Sequence, residues 1–118
     1  MGWPTVAIAG GSIGGLTAAL LLRDLGCEVD VYERSEAVLH APGAGIAVLA
    51  QTSRYPEQRL GMPVDTFCSS TNNITFFNAD GSTQRVIPHR YNFAAWNTIY
   101  RILHRAFGDE RYHMGVEV

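Results

Sequence analysis

Residues 9 to 16 read AGGSIGGL, and Glu33 stands eighteen positions beyond the last glycine of that turn. Gly10, Ser12 and Gly15 fall on the three marked positions of a G-x-G-x-x-G pattern, with Ser12 where the stricter form has glycine. In such a turn the first glycine makes a tight exit from a strand. The middle position lets the backbone approach a diphosphate, and the third lets the helix pack close to the sheet. Amides near Ser12 to Gly15 would open a helix, where unpaired N–H groups and the helix dipole favour an anion. Ser12 is small and its hydroxyl can donate to phosphate, so it substitutes tolerably for glycine. A carboxylate about 20 residues on is placed to accept from both hydroxyls of a ribose. Glu33 meets that offset. It would repel a 2′-phosphate, which disfavours NADP at this site and leaves NAD and FAD open.

A glycine-rich turn alone also occurs in purely structural βαβ units, so its context decides. Thr5 to Ala9 (TVAIA) is a β-branched apolar run that reads as a strand buried on both faces. Residues 14 to 25 are dense in Leu and Ala and predict a helix covered on most of its surface, with Gly26 as its stop. Glu28 to Tyr32 alternates and predicts a second strand. Strand, turn, helix and strand in about thirty residues make one βαβ unit, and the acid falls at its end. The dinucleotide site is favoured over the bland turn.

The remaining elements are less sharply written. Pro42-Gly43-Ala44-Gly45 is a loop signal, and Ile46 to Leu49 predicts a short strand. Gln51 to Leu60 has helical composition, but Pro56 should either start the helix or break it. Ile74 to Asn78 and Thr83 to Ile87 flank Ala79-Asp80-Gly81 and predict a β-hairpin. Trp96 precedes a cap at Asn97, after which Ile99, Ile102, Leu103, Ala106 and Phe107 form a helical stripe ending at Gly108. Tyr112 to Val118 predicts a last strand.

Composition bounds the function. With 118 residues, 47% hydrophobic and 17% charged, the chain is globular and about one domain long. A net charge of −2 argues against nucleic acid as a partner. Cys27 and Cys68 form no CxxC, and His40, His89, His104 and His113 have no metal-ligand spacing, so no metal or disulfide framework is expected. The longest early apolar run, Leu16 to Leu22, is too short to span a bilayer. A soluble cytoplasmic protein with no membrane partner is the expectation.

The stretch GGSIGGLTAALLLRDLGCEVDVYERS, followed by GAGI, resembles the start of the FAD-dependent aromatic hydroxylases, the single-component flavoprotein monooxygenases. WNTIYRIL and ERYH are similar to the dihydroxypyridine hydroxylase-like branch of that family. The resemblance implies an α/β chain: a partial Rossmann-like FAD-binding domain (residues 1–66 and 93–118) with a β-hairpin of the substrate-covering sheet inserted at 67–92. It implies that Gly10, Ser12, Gly14 and Gly15, with Gly11 and Ile13 between them, line the FAD pyrophosphate. Glu33 would hold the adenosine ribose, with Arg34 beside the adenine. Gly43 to Ile46, including Gly45, would run near the ribityl chain. Trp96 occupies the place of an arginine or glutamine that touches the flavin. Arg101, one turn on, is a candidate substitute, although a solvated helix arginine is the readier explanation. Phe76, Phe77, Arg85, His89 and Arg90 would face a substrate or flavin edge, unless the hairpin is an ordinary one with one buried face.

The implied reaction is hydroxylation of a small aromatic substrate using O2, with NADH or NADPH as a transient electron donor. Family members are much longer, and the later Gly-Asp segment that holds the pyrophosphate in them has no match here. The expectation is an N-terminal piece, inactive alone, that exposes apolar surface and either self-associates or awaits a missing C-terminal portion. A non-catalytic nucleotide-binding or interaction module and a fragment of an NAD-dependent dehydrogenase remain the alternatives. GAGI after the ribose acid speaks against the dehydrogenase.

Overall fold

The structure is a computed structural model that describes residues 2–39 and 44–118. It divides into two compact units: Met1–Ala44 with Trp96–Val118, and Gly45–Ala95. The second unit begins at Gly45 and holds the hairpin.

In the first unit the β-branched run forms β1 (Thr5–Ala9), and the Leu/Ala-rich segment forms α1 (Ile13–Asp24). Helix α1 ends where Gly26 takes φ +98°, a conformation costly for any residue with a Cβ. Strand β2 (Glu28–Glu33) follows and pairs in parallel with β1, Val6 opposite Val29 and Ile8 opposite Val31. On its other side β2 pairs in parallel with a short strand near the C-terminus, Tyr112–Met114, giving a central β2. Alternation sends Val29, Val31 and Glu33 to the buried face. There they join Leu16, Ala19 and Leu20 of α1 and Ile99, Tyr100, Leu103 and Phe107 of the later helix Trp96–Phe107.

Three expectations for this unit are corrected. Thr5, Ala7 and Ala9 of β1 are exposed and Val6 and Ile8 only half-buried, because β1 is an edge strand of a three-stranded sheet rather than an interior one. Helix α1 is covered on one face, leaving Leu21 47% exposed and Leu25, just past its end, 57% exposed. The last strand stops at Met114, because Gly115 at φ +72° turns the chain back and its N–H bonds to the Ser35 carbonyl.

The other face of β2 is polar and interlocked. Asp30 accepts from Arg111 at 3.0 Å and lies 2.8 Å from His113 Nε2, whose ring stacks on Tyr32. The His113 bond, with Arg111 close by, holds the Asp30 carboxyl below its ordinary range.

The second unit is antiparallel. In it β3 (Gly45–Val48) and β4 (Ser69–Phe77) flank β5 (Thr83–Ala95), joined by α2 (Ala50–Leu60) and a 3₁₀ turn at Val64–Thr66. The hairpin turn is where Asp80-Gly81 predicts it, with Gly81 at φ +84°. Its strands are far longer than Ile74–Asn78 and Thr83–Ile87, and bulges at Thr71/Asn73 and Phe76/Phe77 absorb the irregularity. Helix α2 runs unbroken through Pro56, which is buried. Proline at this position removes one N–H bond, to the Thr52 carbonyl, and a helix that closes well at Gly61 (φ +63°, Met62 N–H to Pro56 O) tolerates the loss. The remaining elements are numbered in chain order: α3 is Trp96–Phe107, beginning one residue before the expected Asn97 cap, and β6 is Tyr112–Met114.

Candidate functional site

The glycine turn is built by contacts from three directions. Gly10 leaves β1 at φ +100° and donates its N–H to the Tyr32 carbonyl at 2.8 Å, tying the turn to the end of β2. A Cβ on Gly15 would run into the Gly10 carbonyl, so glycine is required where α1 passes the turn. Gly11 is buried and donates its N–H to Glu33 Oε2 at 2.8 Å. Its carbonyl accepts from the Tyr112 hydroxyl at 2.7 Å.

Ser12 is the N-cap of α1, with extended backbone, and its side chain makes no capping bond. The first intrahelical bond is Leu16 N–H to Ser12 O, so the amides of Ile13, Gly14 and Gly15 precede it and have no partner inside the helix. No acidic residue lies in the first turn of α1. Ser12 and Gly14 are exposed, and a Cβ on Gly14 would meet nothing within 4 Å. An open, positively polarised helix tip of this kind accepts a diphosphate.

Glu33 sits beside that tip at 7% exposure. Burial pushes its carboxyl up, but the Ser35 and Gly11 N–H bonds, with Arg34 close by, outweigh burial and hold it below the usual carboxylate range. A carboxylate offers about four acceptor positions. The amides of Gly11 and Ser35 and the Ser35 side chain take three of them, which leaves acceptor capacity for a ribose hydroxyl. Glu33 and Arg34 line a cleft of about 260 Å³ together with Gly10, Val116 and Glu117. Full ligand pockets run from roughly 300 Å³ upward, so this cleft suits one end of a dinucleotide. The residues present therefore fit a dinucleotide whose diphosphate meets the helix tip and whose ribose meets Glu33.

The structure brings Gly10, Gly11, Ser12, Ile13, Gly14, Gly15, Glu33 and Arg34 to one end of the parallel sheet. Gly45 and Ile46 belong to the other unit, paired with Ala95 and Ala94 in β3. Gly43 lies outside the described residues. Arg101 is exposed on α3 and lines a separate cleft with Val38, His104 and Asp109. Trp96 stacks on Tyr100, with ring centroids 5.0 Å apart. Sequence reasoning passed over Tyr112, reading it only as the start of a strand. The one signal was that it sits in the ERYH segment, since its bond to Gly11 spans 101 residues. Among the described residues no cluster of His, Cys, Asp or Glu is arranged to hold a metal, and no helix is long and apolar enough to cross a membrane.

Over 109 residues the chain is 39% identical to 2,6-dihydroxypyridine 3-monooxygenase of Paenarthrobacter nicotinovorans, covering 92% of this chain. It superposes on the structure of 2,6-dihydroxypyridine-3-hydroxylase from Arthrobacter nicotinovorans with a TM-score of 0.88 at 38% identity, over 94% of this chain and 28% of that one. The chain resembles the FAD-dependent aromatic hydroxylases. It also shares its fold with 2-methyl-3-hydroxypyridine-5-carboxylic acid oxygenase (TM-score 0.77, 24% identity, 98% of this chain and 32% of that one). The same holds for Klebsiella pneumoniae HpxO complexed with FAD and uric acid (TM-score 0.73, 19% identity, 95% and 30%). No protein-family model matches the chain. The chain spans 27% of the length of the curated hydroxylase it matches.

Proposed function

We propose that this chain is the FAD-binding segment of a flavin-dependent monooxygenase that hydroxylates an aromatic or N-heteroaromatic ring, of the dihydroxypyridine type, with NADH or NADPH and O2. The observation that carries the reading is the Glu33 carboxylate, docked on the Gly11 amide beside an open helix tip. The 38% identity and TM-score of 0.88 against 2,6-dihydroxypyridine-3-hydroxylase support it. In this reading the parallel unit is a partial Rossmann-like sheet, and the antiparallel unit contributes a hairpin to a substrate-covering sheet.

The amides of Ser12, Ile13, Gly14 and Gly15 hold the diphosphate, while Gly10 and Gly11 shape the turn beneath it. Glu33 accepts from the adenosine ribose, and Arg34 lies beside the adenine. Gly45 and Ile46 run along the ribityl chain. Arg101 keeps the plainer role of a solvated helix arginine. When bound, the flavin supplies the redox chemistry between the nicotinamide donor, O2 and the ring. These residues bind and orient it, and none of them carries a proton or a bond of the reaction.

Calorimetric titration of the purified chain with FAD and with ADP tests the proposal. Both are expected to bind, ADP competing with FAD, and the FAD complex is yellow. The chain alone is expected to show no ring hydroxylation coupled to NADH or NADPH oxidation. Failure of both ligands to bind at millimolar concentration rejects the reading.

A further inference from the structure

Gly11 is the residue of the turn whose two backbone groups both have buried partners, Glu33 on its N–H and Tyr112 on its carbonyl. The Tyr112 hydroxyl also lies 3.2 Å from that of Tyr100. A carbonyl only accepts, so the single proton of Tyr112 goes to Gly11, and Tyr100 must be the donor to Tyr112. The result is a directed chain, Tyr100 O–H to Tyr112 O–H to Gly11 C=O. Each bond in it polarises the next. Both tyrosines are core residues, 1% and 6% exposed. The Tyr112 ring is held against His104, with centroids 4.4 Å apart, and Tyr100 packs between His104 and Trp96. The hydroxyl therefore arrives at Gly11 on a ring with little freedom to move.

A trans peptide points its C=O and its N–H in opposite directions, and no described peptide bond is cis. Pinning the Gly11 carbonyl inward onto Tyr112 turns the Ser12 N–H outward, onto the exposed tip of α1. We propose that Tyr112 is a positioning residue for the diphosphate turn: its hydroxyl fixes the Gly11–Ser12 peptide so that the Ser12 amide is presented to the anion. The ligand in this statement rests on the dinucleotide reading above, whereas the peptide orientation does not. A second observation belongs with it. A Cβ on Gly11 would strike the Tyr112 hydroxyl and ring. The G-x-G-x-x-G pattern leaves that position open, but here Tyr112 restricts it to glycine. Gly11 and Tyr112 are a matched pair joining the first turn to the last strand.

The test uses the 118-residue chain, ¹⁵N-labelled, as wild type, Tyr112→Phe and Tyr100→Phe. Tyr112→Phe keeps the ring and removes the donor from a buried carbonyl. Without ligand, the backbone order of Ser12 measured by ¹⁵N relaxation is expected to fall in Tyr112→Phe, while Val29 and Val31 in β2 keep theirs. With ADP as the probe, Tyr112→Phe is expected to bind about fivefold more weakly, the size of one net hydrogen bond. Tyr100→Phe leaves the Gly11 bond in place but unsupported, and is expected to lose about twofold, a fraction of one such bond. Unchanged Ser12 order, or unchanged ADP affinity, in Tyr112→Phe overturns the proposal. So does a lowered melting temperature with neither effect, which marks Tyr112 as packing alone. If wild type fails to bind ADP, the dinucleotide reading falls and the relaxation measurement decides the positioning claim by itself.

Discussion

Two neighbouring glycines of the turn do different work, and a single methyl group separates them. At Gly15 a Cβ would collide with the Gly10 carbonyl, whereas at Gly14 it enters open space at a helical position. Gly15→Ala is therefore expected to destabilise the first unit by about 1–3 kcal/mol, as overpacking does. Gly14→Ala should stabilise the helix by about 0.5–1 kcal/mol. If a diphosphate rests on that tip, the same methyl obstructs it, so Gly14→Ala combines higher melting temperature with weaker ADP binding. Thermal melts and ADP titration of the two variants check the pair. Glu33 carries a pH signature. Its folded pKa lies below the ordinary 4.5, so folding favours its charged form. That contribution is complete above about pH 4.5 and is lost as pH falls through the lower folded value. Glu33→Gln offers one acceptor and places an NH2 against an amide that needs an acceptor. It is expected to cost about 1–3 kcal/mol at neutral pH and to flatten the loss of stability below pH 4.5. Urea melts from pH 3 to 7 read both effects.

The elements that were legible are those with a strong local pattern, although β1 and α1 are less buried than that pattern implied. β1, α1 and β2 follow from TVAIA, the Leu/Ala run and the alternation of EVDVY, and Gly26 and Gly108 end their helices at φ +98° and +87°. The antiparallel ribbon was legible only at its tip. Residues such as Asn72, Asn73, His89 and Arg90 are exposed there, so no apolar alternation marks the length of β4 and β5. Pro56 misled for another reason: the proline rule is local, whereas here Pro56 is buried along with Tyr55 and Ser53 in a helix that runs on to Leu60. Contacts between distant elements were not written in any window. Arg23, which reads as a surface arginine on α1, donates to the Ala106 and Phe107 carbonyls at 2.7 Å and lies over the Phe107 ring. It thereby caps α3 with a positive charge, where the helix dipole favours one. Tyr112 is the same case at the site. The turn and its ribose acid could be read from spacing, but the hydroxyl that holds the turn comes from a strand 101 residues away.

At the scale of the molecule, the question is what 118 residues can cover. Among the described residues the parallel sheet has three strands, and β1 presents a free edge with Thr5, Ala7 and Ala9 exposed. On the same unit Leu21 and Leu25 are 47% and 57% exposed, and on the antiparallel unit Phe77 and Val86 are 64% and 52% exposed. Unpaired strand edges and exposed apolar side chains are the features that draw chains together, and both units carry them. The isolated chain is therefore expected to associate in solution. Light scattering on a sizing column at tens of micromolar should give a mass above the 12.9 kDa of one chain, moving toward that mass on dilution. Replacing Phe77 and Val86 by Lys places charge on the ribbon without touching the glycine turn or Glu33. The double variant should shift toward monomer while binding ADP as the parent does. A monodisperse monomer for the parent chain contradicts the expectation.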